Sequence, residues 1–137
     1  MIVVRTPEHE LFNYGECREM FDKHREVLDV DDFDTVIKTT HFFSFYEWHK
    51  AELIGCIYFY QQDDKLFVTA FAGRGHHELN LECFRMSLDW YTCDIYAEKV
   101  QPTARYCIRK CGFEKVNDNL YIYRRKKNGK KQVKQLK

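Results

Sequence analysis

Residues 65–88 read KLFVTAFAGRGHHELNLECFRMSL. A β-prone apolar run ends in a Gly73-Arg74-Gly75 turn, and the turn opens directly into a helical pattern. A strand that stops at a helix N-terminus aims several unpaired backbone N–H groups at one spot, and such a spot suits a phosphate. His76 and His77 stand at this turn, either as donors and partial cations or as solvated turn residues. The remaining reactive side chains include six cysteines: Cys17, Cys56, Cys83, Cys93, Cys107 and Cys111. None forms a Cys-x-x-Cys pair. Cys107 and Cys111 are four apart and could share a helix face, but with His76 and His77 they match no usual zinc spacing. No metal is expected. Most of the thiols lie within apolar patterns and read as small hydrophobes.

Periodicity shows which elements must hold this turn. Ile2 to Arg5 (IVVR) is a short β-prone run. Pro7, Glu8 and Glu10 suit a helix N-terminus. A helix is expected from about Glu8 to Leu28, broken or bent near Gly15, since an interior glycine costs roughly 1 kcal/mol. Phe33, Val36 and Ile37 suggest a second short helix after an acidic turn. Residues 41–48 (HFFSFYEW), 53–60 (LIGCIYFY) and 66–72 are β-prone, with short polar links between them. That pattern predicts an antiparallel meander. The middle run is apolar on both faces, as a central strand should be.

From about His76 the period is helical. Leu79, Cys83, Met86 and Trp90 share a stripe, while Glu78, Glu82, Arg85 and Asp89 lie opposite. Residues 92–97 (TCDIYA) predict another strand. Pro102 opens a further helix, and Ala104, Cys107, Ile108 and Cys111 recur there at i, i+3, i+4 and i+7. Gly112 is its expected C-terminal cap. Residues 113–116 and 120–123 are the last expected strands.

The 137 residues fit one domain, and with 45% hydrophobic and 16% aromatic residues they can fill a real core. A disordered or disulfide-stapled chain is excluded. No run approaches the roughly 20 apolar residues of a membrane span. Arg5 and Pro7 come too early for a secretory signal, so a cytoplasmic location is expected. The net charge of +1 is unevenly spread. Residues 124–137 carry eight basic residues and no acid, which leaves 14 of the 22 basic residues to face 21 acidic ones, a net of −7. An acidic body excludes nucleic-acid binding by the whole domain. The tail reads either as a solvated, disordered end or as a contact for nucleic acid or an acidic surface. A folded domain over residues 1–123 and a basic tail over 124–137 are the expected organisation.

From Ile2 to about Arg125 this order of elements resembles the GCN5-related N-acetyltransferase (GNAT) superfamily. Three local features carry the resemblance. Arg74-Gly75 stands at the strand-to-helix turn. Gln101-x-x-Ala104 opens a helix where the family usually has Asn-x-x-Ala. Lys110-Cys111-Gly112-Phe113-Glu114 looks like the family's exit from that helix. The Arg-Gly turn followed by non-glycine residues, with a Glu-rich helix ending in Asp-Trp, is also similar to acetyltransferase-like proteins of tailed phages.

The resemblance implies an α/β (α+β) fold with a mixed, mostly antiparallel sheet flanked by helices. It implies acetyl-CoA as cofactor and a primary amine, on a protein, peptide or small molecule, as acceptor. The strands at 66–72 and 92–97 would splay, and the pantetheine arm would pair with backbone at Ala70, Phe71 and Ala72. The pyrophosphate would sit on the N–H groups of Arg74, Gly75, His76, His77, Glu78 and Leu79, with Gln101 and Ala104 across the notch. Direct attack by the amine needs positioning, an oxyanion donor and a route for protons.

Two positions depart from the family pattern. Counted from Arg74, the family's two small positions are His77 and Leu79. Its tyrosine, four residues before the glycine of Gly-Phe, is Ile108. Tyr106 is about 200° round the helix from Ile108 and shares the face of Arg105 and Arg109. Tyr96 and Glu98 are therefore the candidate catalytic proton carriers, with Glu47 more distant; Tyr96 also reads as a packed strand aromatic. Two function classes stand: an N-acetyltransferase, or a non-catalytic relative that keeps the fold as a binding or structural module, such as a phage accessory or virion-associated protein.

Overall fold

The computed structural model describes residues 1–28, 32–49, 51–73, 77–98, 100 and 102–125. In chain order the elements are β1 (Ile2–Arg5), α1 (Tyr14–Leu28), α2 (Phe33–Thr39), β2 (His41–Glu47), β3 (Glu52–Gln62), β4 (Lys65–Ala72), α3 (His77–Leu88), β5 (Ile95–Glu98), α4 (Pro102–Lys110), β6 (Glu114–Asn117) and β7 (Leu120–Tyr123). The strands form a seven-stranded sheet in the order β1-β2-β3-β4-β5-β7-β6. Every neighbouring pair is antiparallel except β4 and β5. The expected mixed, mostly antiparallel sheet with flanking helices is the observed architecture.

Strand alternation divides the apolar residues between two cores. Phe42 and Tyr46 of β2, Cys56 and Tyr58 of β3 and Phe71 of β4 pack with Cys17 and Phe21 of α1 and Phe33 and Val36 of α2. Their neighbours Phe45, Ile57, Phe59 and Val68 face the other way. They pack with Cys83, Phe84 and Leu88 of α3 and Cys107 and Ile108 of α4. β3 is thus buried on both faces, which is why its sequence is continuously apolar. A bulge lets it stay so. Phe45 pairs with Gly55 and Tyr46 with Leu53, leaving Ile54 as the extra residue.

The first helix is shorter than expected. The chain turns after Pro7, with His9 N–H on the Thr6 carbonyl and Phe12 N–H on the His9 carbonyl, both at 3.0 Å. Helix α1 starts only after Asn13, whose Oδ1 accepts from Glu16 N–H at 3.0 Å while its Nδ2 donates to the Glu16 carboxylate at 3.0 Å. This reciprocal cap outcompetes the acids near Pro7 as a start signal. Gly15 consequently lies in the first turn and bends nothing.

Other boundaries move for similarly local reasons. α3 ends at Leu88, and Trp90 leaves the helical stripe to place its ring 4.5 Å from that of Phe43. β5 begins at Ile95 rather than Thr92, and just before it the Asp94 carboxylate accepts from the backbone N–H of Arg125 at 2.8 Å. β6 starts one residue late, at Glu114, since Phe113 and Gly112 still close α4. Phe113 N–H reaches the Ile108 carbonyl at 3.1 Å and Gly112 N–H the Arg109 carbonyl at 3.2 Å. Gly112 takes φ 90°, the left-handed geometry this cap needs.

The aromatic strand β2 is not an edge. It lies between β1 and β3, and Phe42, Phe45 and Tyr46 are buried. Among the described residues no helix is long and apolar enough to cross a membrane.

Candidate functional site

The only parallel pair in the sheet is also the shortest. β4 and β5 share two rungs, Leu66 with Ile95 and Phe67 with Tyr96. Past Phe67, β4 runs on to Ala72 paired only on its β3 side, and β5 runs on to Glu98 paired with β7. The two strands fork, and the β4 edge from Val68 to Ala72 faces the gap with no strand among the described residues paired to it.

The gap opens into a cavity of about 490 Å³. Its sheet-side wall is the end of β4, with Ala70, Phe71, Ala72 and Gly73. The first turn of α3 adds His77 and Asn80, and α4 adds Ala104 and Cys107. Small residues make this space: three alanines and two glycines stand where larger side chains would fill it. The N-terminal N–H groups of α3 have no partner within the helix, and His77 at that end lines the cavity.

Five of the residues expected to hold a cofactor therefore meet in one cavity: Ala70, Phe71, Ala72, His77 and Ala104. The ring of Phe71 belongs to the α1-side core, 5.6 Å from that of Phe21. Glu78 is exposed and Leu79 packs against the α3-side core; neither lines the cavity. Arg74, Gly75, His76 and Gln101, like tail residues 126–137, lie outside the described residues. The first two tail residues are tied to the domain: Arg124 Nε pairs with the Glu114 carboxylate at 3.1 Å, and Arg125 also donates to the Leu88 carbonyl.

Several cavity residues had no signal in the sequence. His24 of α1 reaches the wall, with its ring 5.8 Å from that of Phe71. Its Nδ1 lies 2.8 Å from the Met20 carbonyl. A carbonyl only accepts, so this contact puts a proton on Nδ1. Tyr106 also lines the cavity while remaining 42% exposed. Ile108, where the family resemblance would put a tyrosine, is 2% exposed and part of the core. Cys56, Cys83 and Cys107 also line the cavity. Burial is the first cause that raises all three, to about 12 for Cys83, so they are neutral at ordinary pH.

Tyr96 and Glu98 lie elsewhere. Ile95 and Ala97 face the α3-side core, so alternation turns Tyr96 and Glu98 to the opposite face of β5. They stand at the fork but do not line the cavity. The Tyr96 ring packs 5.7 Å from that of Phe67. Glu98 is exposed and accepts from the Tyr60 hydroxyl at 3.5 Å. Glu47 is remote from both, on β2 beside the N-terminal amine of Met1 at 3.8 Å. Among the described residues no group of three or more His, Cys, Asp and Glu is arranged to hold a metal ion.

No protein-family profile matches the chain. No curated protein matches it in sequence. Solved structures do match in shape. The ribosomal-protein-S5-alanine acetyltransferase of Vibrio fischeri superposes with a TM-score of 0.64 at 10% identity, over 90% of this chain and 93% of that one. A GNAT-family acetyltransferase of Bacillus anthracis gives 0.66 at 12% identity, over 91% and 95%. An N-acetyltransferase of Staphylococcus aureus Mu50 gives 0.58 at 14%, over 90% and 97%. At such identities the likeness is one of architecture, and it spans nearly the whole of each molecule: this chain has the fold of the GNAT acetyltransferases.

Proposed function

We propose that this protein is an N-acetyltransferase that carries the acetyl group of acetyl-CoA to a primary amine. The observation that carries the reading is the fork of β4 and β5, with its cavity running from the freed β4 edge to the N-terminus of α3. The residues present fit such a cofactor. Backbone at Ala70, Phe71 and Ala72 offers strand-like pairing to the amides of a pantetheine arm. The opening N–H groups of α3 at His77, Glu78 and Leu79 suit phosphate oxygens, and Ala104 leaves room opposite. Arg74, Gly75, His76 and Gln101 belong to the same proposed cradle.

Bound acetyl-CoA supplies an acetyl thioester open to attack by an amine. The chain's part is to orient that amine, to hold its proton and to keep water out. Glu98 at the fork is the proposed acceptor of the proton, with Tyr96 beside it. His24 lines the cavity itself, which Glu98 does not, and its Nε2 is the ring nitrogen not engaged by the Met20 carbonyl. The neutral thiols and the alanines make the remaining wall apolar.

Calorimetric titration with acetyl-CoA and with CoA tests the reading. Micromolar to sub-millimolar binding is expected, weakened when Gly75 is replaced by a bulky residue. No binding at near-millimolar cofactor would rule the enzyme out.

A second reading has its own support. Ile108 is buried where the family resemblance would put a phenol, and Leu79 is spent on the core. These favour a non-catalytic protein that keeps the fold for binding or structure, such as a phage accessory or virion-associated protein. Cofactor binding without transfer to any of a broad panel of amines would select it. For the tail, we propose contact with nucleic acid or an acidic surface in the cytoplasm of the producing cell or host. Removing residues 126–137 should then abolish any salt-sensitive retention on nucleic acid.

A further inference from the structure

The face of the fork turned away from α3 carries a second cluster. Three rings form a row across neighbouring strands: Tyr60 of β3, Phe67 of β4 and Tyr96 of β5. Tyr60 and Phe67 are stacked at 5.4 Å and 11°, and Phe67 lies 5.7 Å from Tyr96. The row occupies the last rung that β4 and β5 share, since Phe67 pairs with both Tyr60 and Tyr96. Glu98 is two residues further along β5, on the same face and just past the fork. The Tyr60 hydroxyl reaches over β4 to donate to its Oε1 at 3.5 Å. Lys65 Nζ already rests 5.8 Å from the centre of the Tyr96 ring, so the row receives a cation from its own chain.

We propose that Glu98 and the Tyr60–Phe67–Tyr96 row form a recognition site for a primary alkylammonium group. The carboxylate takes the N–H donors of the ammonium, and the half-buried Tyr60 and Tyr96 rings, backed by the buried Phe67, take its methylene arm and part of its charge. Tyr60 is a positioning residue: its hydroxyl holds the Glu98 carboxylate over the row. Burial first, and the Glu98 charge next, push its pKa up to about 12, so it stays a donor across the neutral range. A lysine side chain and a polyamine both present this chemistry. The site's use as the acceptor site rests on the acetyltransferase reading above; binding of the ammonium does not.

The test titrates the full chain at pH 7 with n-butylamine hydrochloride, with and without CoA, following tyrosine ring signals by proton NMR. Millimolar binding is expected. Glu98→Gln should weaken it about tenfold, the effect of one charge-assisted contact. Tyr60→Phe keeps the ring stack and should weaken it severalfold. n-Butanol, which has the same arm without the charge, should bind weakly and be indifferent to both variants. Circular dichroism and melting temperature check that the variants are folded.

Equal affinity of wild type and Glu98→Gln for n-butylamine overturns the proposal. Unchanged affinity in Tyr60→Phe overturns the positioning role. Wild type that binds butylamine but not CoA defeats the acetyltransferase reading and leaves this site standing. N-acetyl-lysine amide and spermidine then separate the two sources: the one that fits binds tighter and loses that gain in Glu98→Gln, and if neither loses affinity the proposal fails.

Discussion

Gly55 and Ala72 face each other across the β3–β4 pair with no room for a side chain between them. A Cβ on Gly55 would stand 2.9 Å from the Phe71 carbonyl oxygen and 3.0 Å from the Ala72 Cβ. The glycine is therefore what lets the end of β4 lie close to β3, and that end is a wall of the cavity. Gly55→Val should push Phe71 and Ala72 aside at a cost of roughly 1–3 kcal/mol. Urea denaturation should show the loss, and CoA titration should show weaker binding. A variant as stable as wild type would refute the close approach.

Ile108→Tyr would put a phenol where the family resemblance expects one. The side chain is buried between α4 and the sheet, so a larger polar group has no space and no partner there. We expect a loss of roughly 1–3 kcal/mol in urea denaturation, by overpacking, and no gain in acetyl transfer. Tyr106→Phe instead keeps the fold, because the ring is retained and the residue is 42% exposed.

Much of this architecture was legible in the sequence because each local signal agreed with its tertiary setting. β3 is apolar on both faces because two helix layers cover it. α4 carries a stripe at i, i+3, i+4 and i+7, with a glycine where a left-handed cap is required. The start of α1 was not legible, because two capping signals compete within a few residues and only the Asn13–Glu16 geometry decides between them. Ala70, Phe71, Ala72 and His77 share one cavity because strand, turn and helix are contiguous there, whereas Ala104 on α4 was named only through the family resemblance. His24 and Tyr60 could not be located in the sequence. They reach the site from α1 and β3, and nothing in their own neighbourhoods shows that Phe71 or Glu98 will stand beside them.

The cap at α1 gives the third prediction. Asn13 satisfies the Glu16 N–H and receives the Glu16 carboxylate in return. Asn13→Ala removes both bonds and should cost about 1 kcal/mol of stability. Asn13→Asp should cost less, since the acceptor oxygen is kept at a helix N-terminus. Paired urea melts of the two variants check the order, and equal losses would mean that the cap is not functioning.

Stability should fall on the alkaline side, and the raised thiols and phenols say where. Burial first, with the Glu82 charge behind it, holds the Cys83 thiol at about 12 against an ordinary 9.0. Burial and then Cys107 raise Cys111 to about 11. Burial and the Glu98 charge raise Tyr60 to about 12 against 10.0. A group whose pKa is raised by folding keeps its proton in the native state after the unfolded chain has lost it. Its stabilising contribution is therefore complete below the unfolded value and disappears as pH rises through the folded one. The urea midpoint should be flat from about pH 7 to 9 and should decline between about 9 and 12. Cys83→Ala should make the early part of that decline shallower, because one strongly raised thiol is then gone. A midpoint that climbs above pH 9, or a variant that follows the wild-type curve throughout, would show that these thiols are not held neutral by the fold.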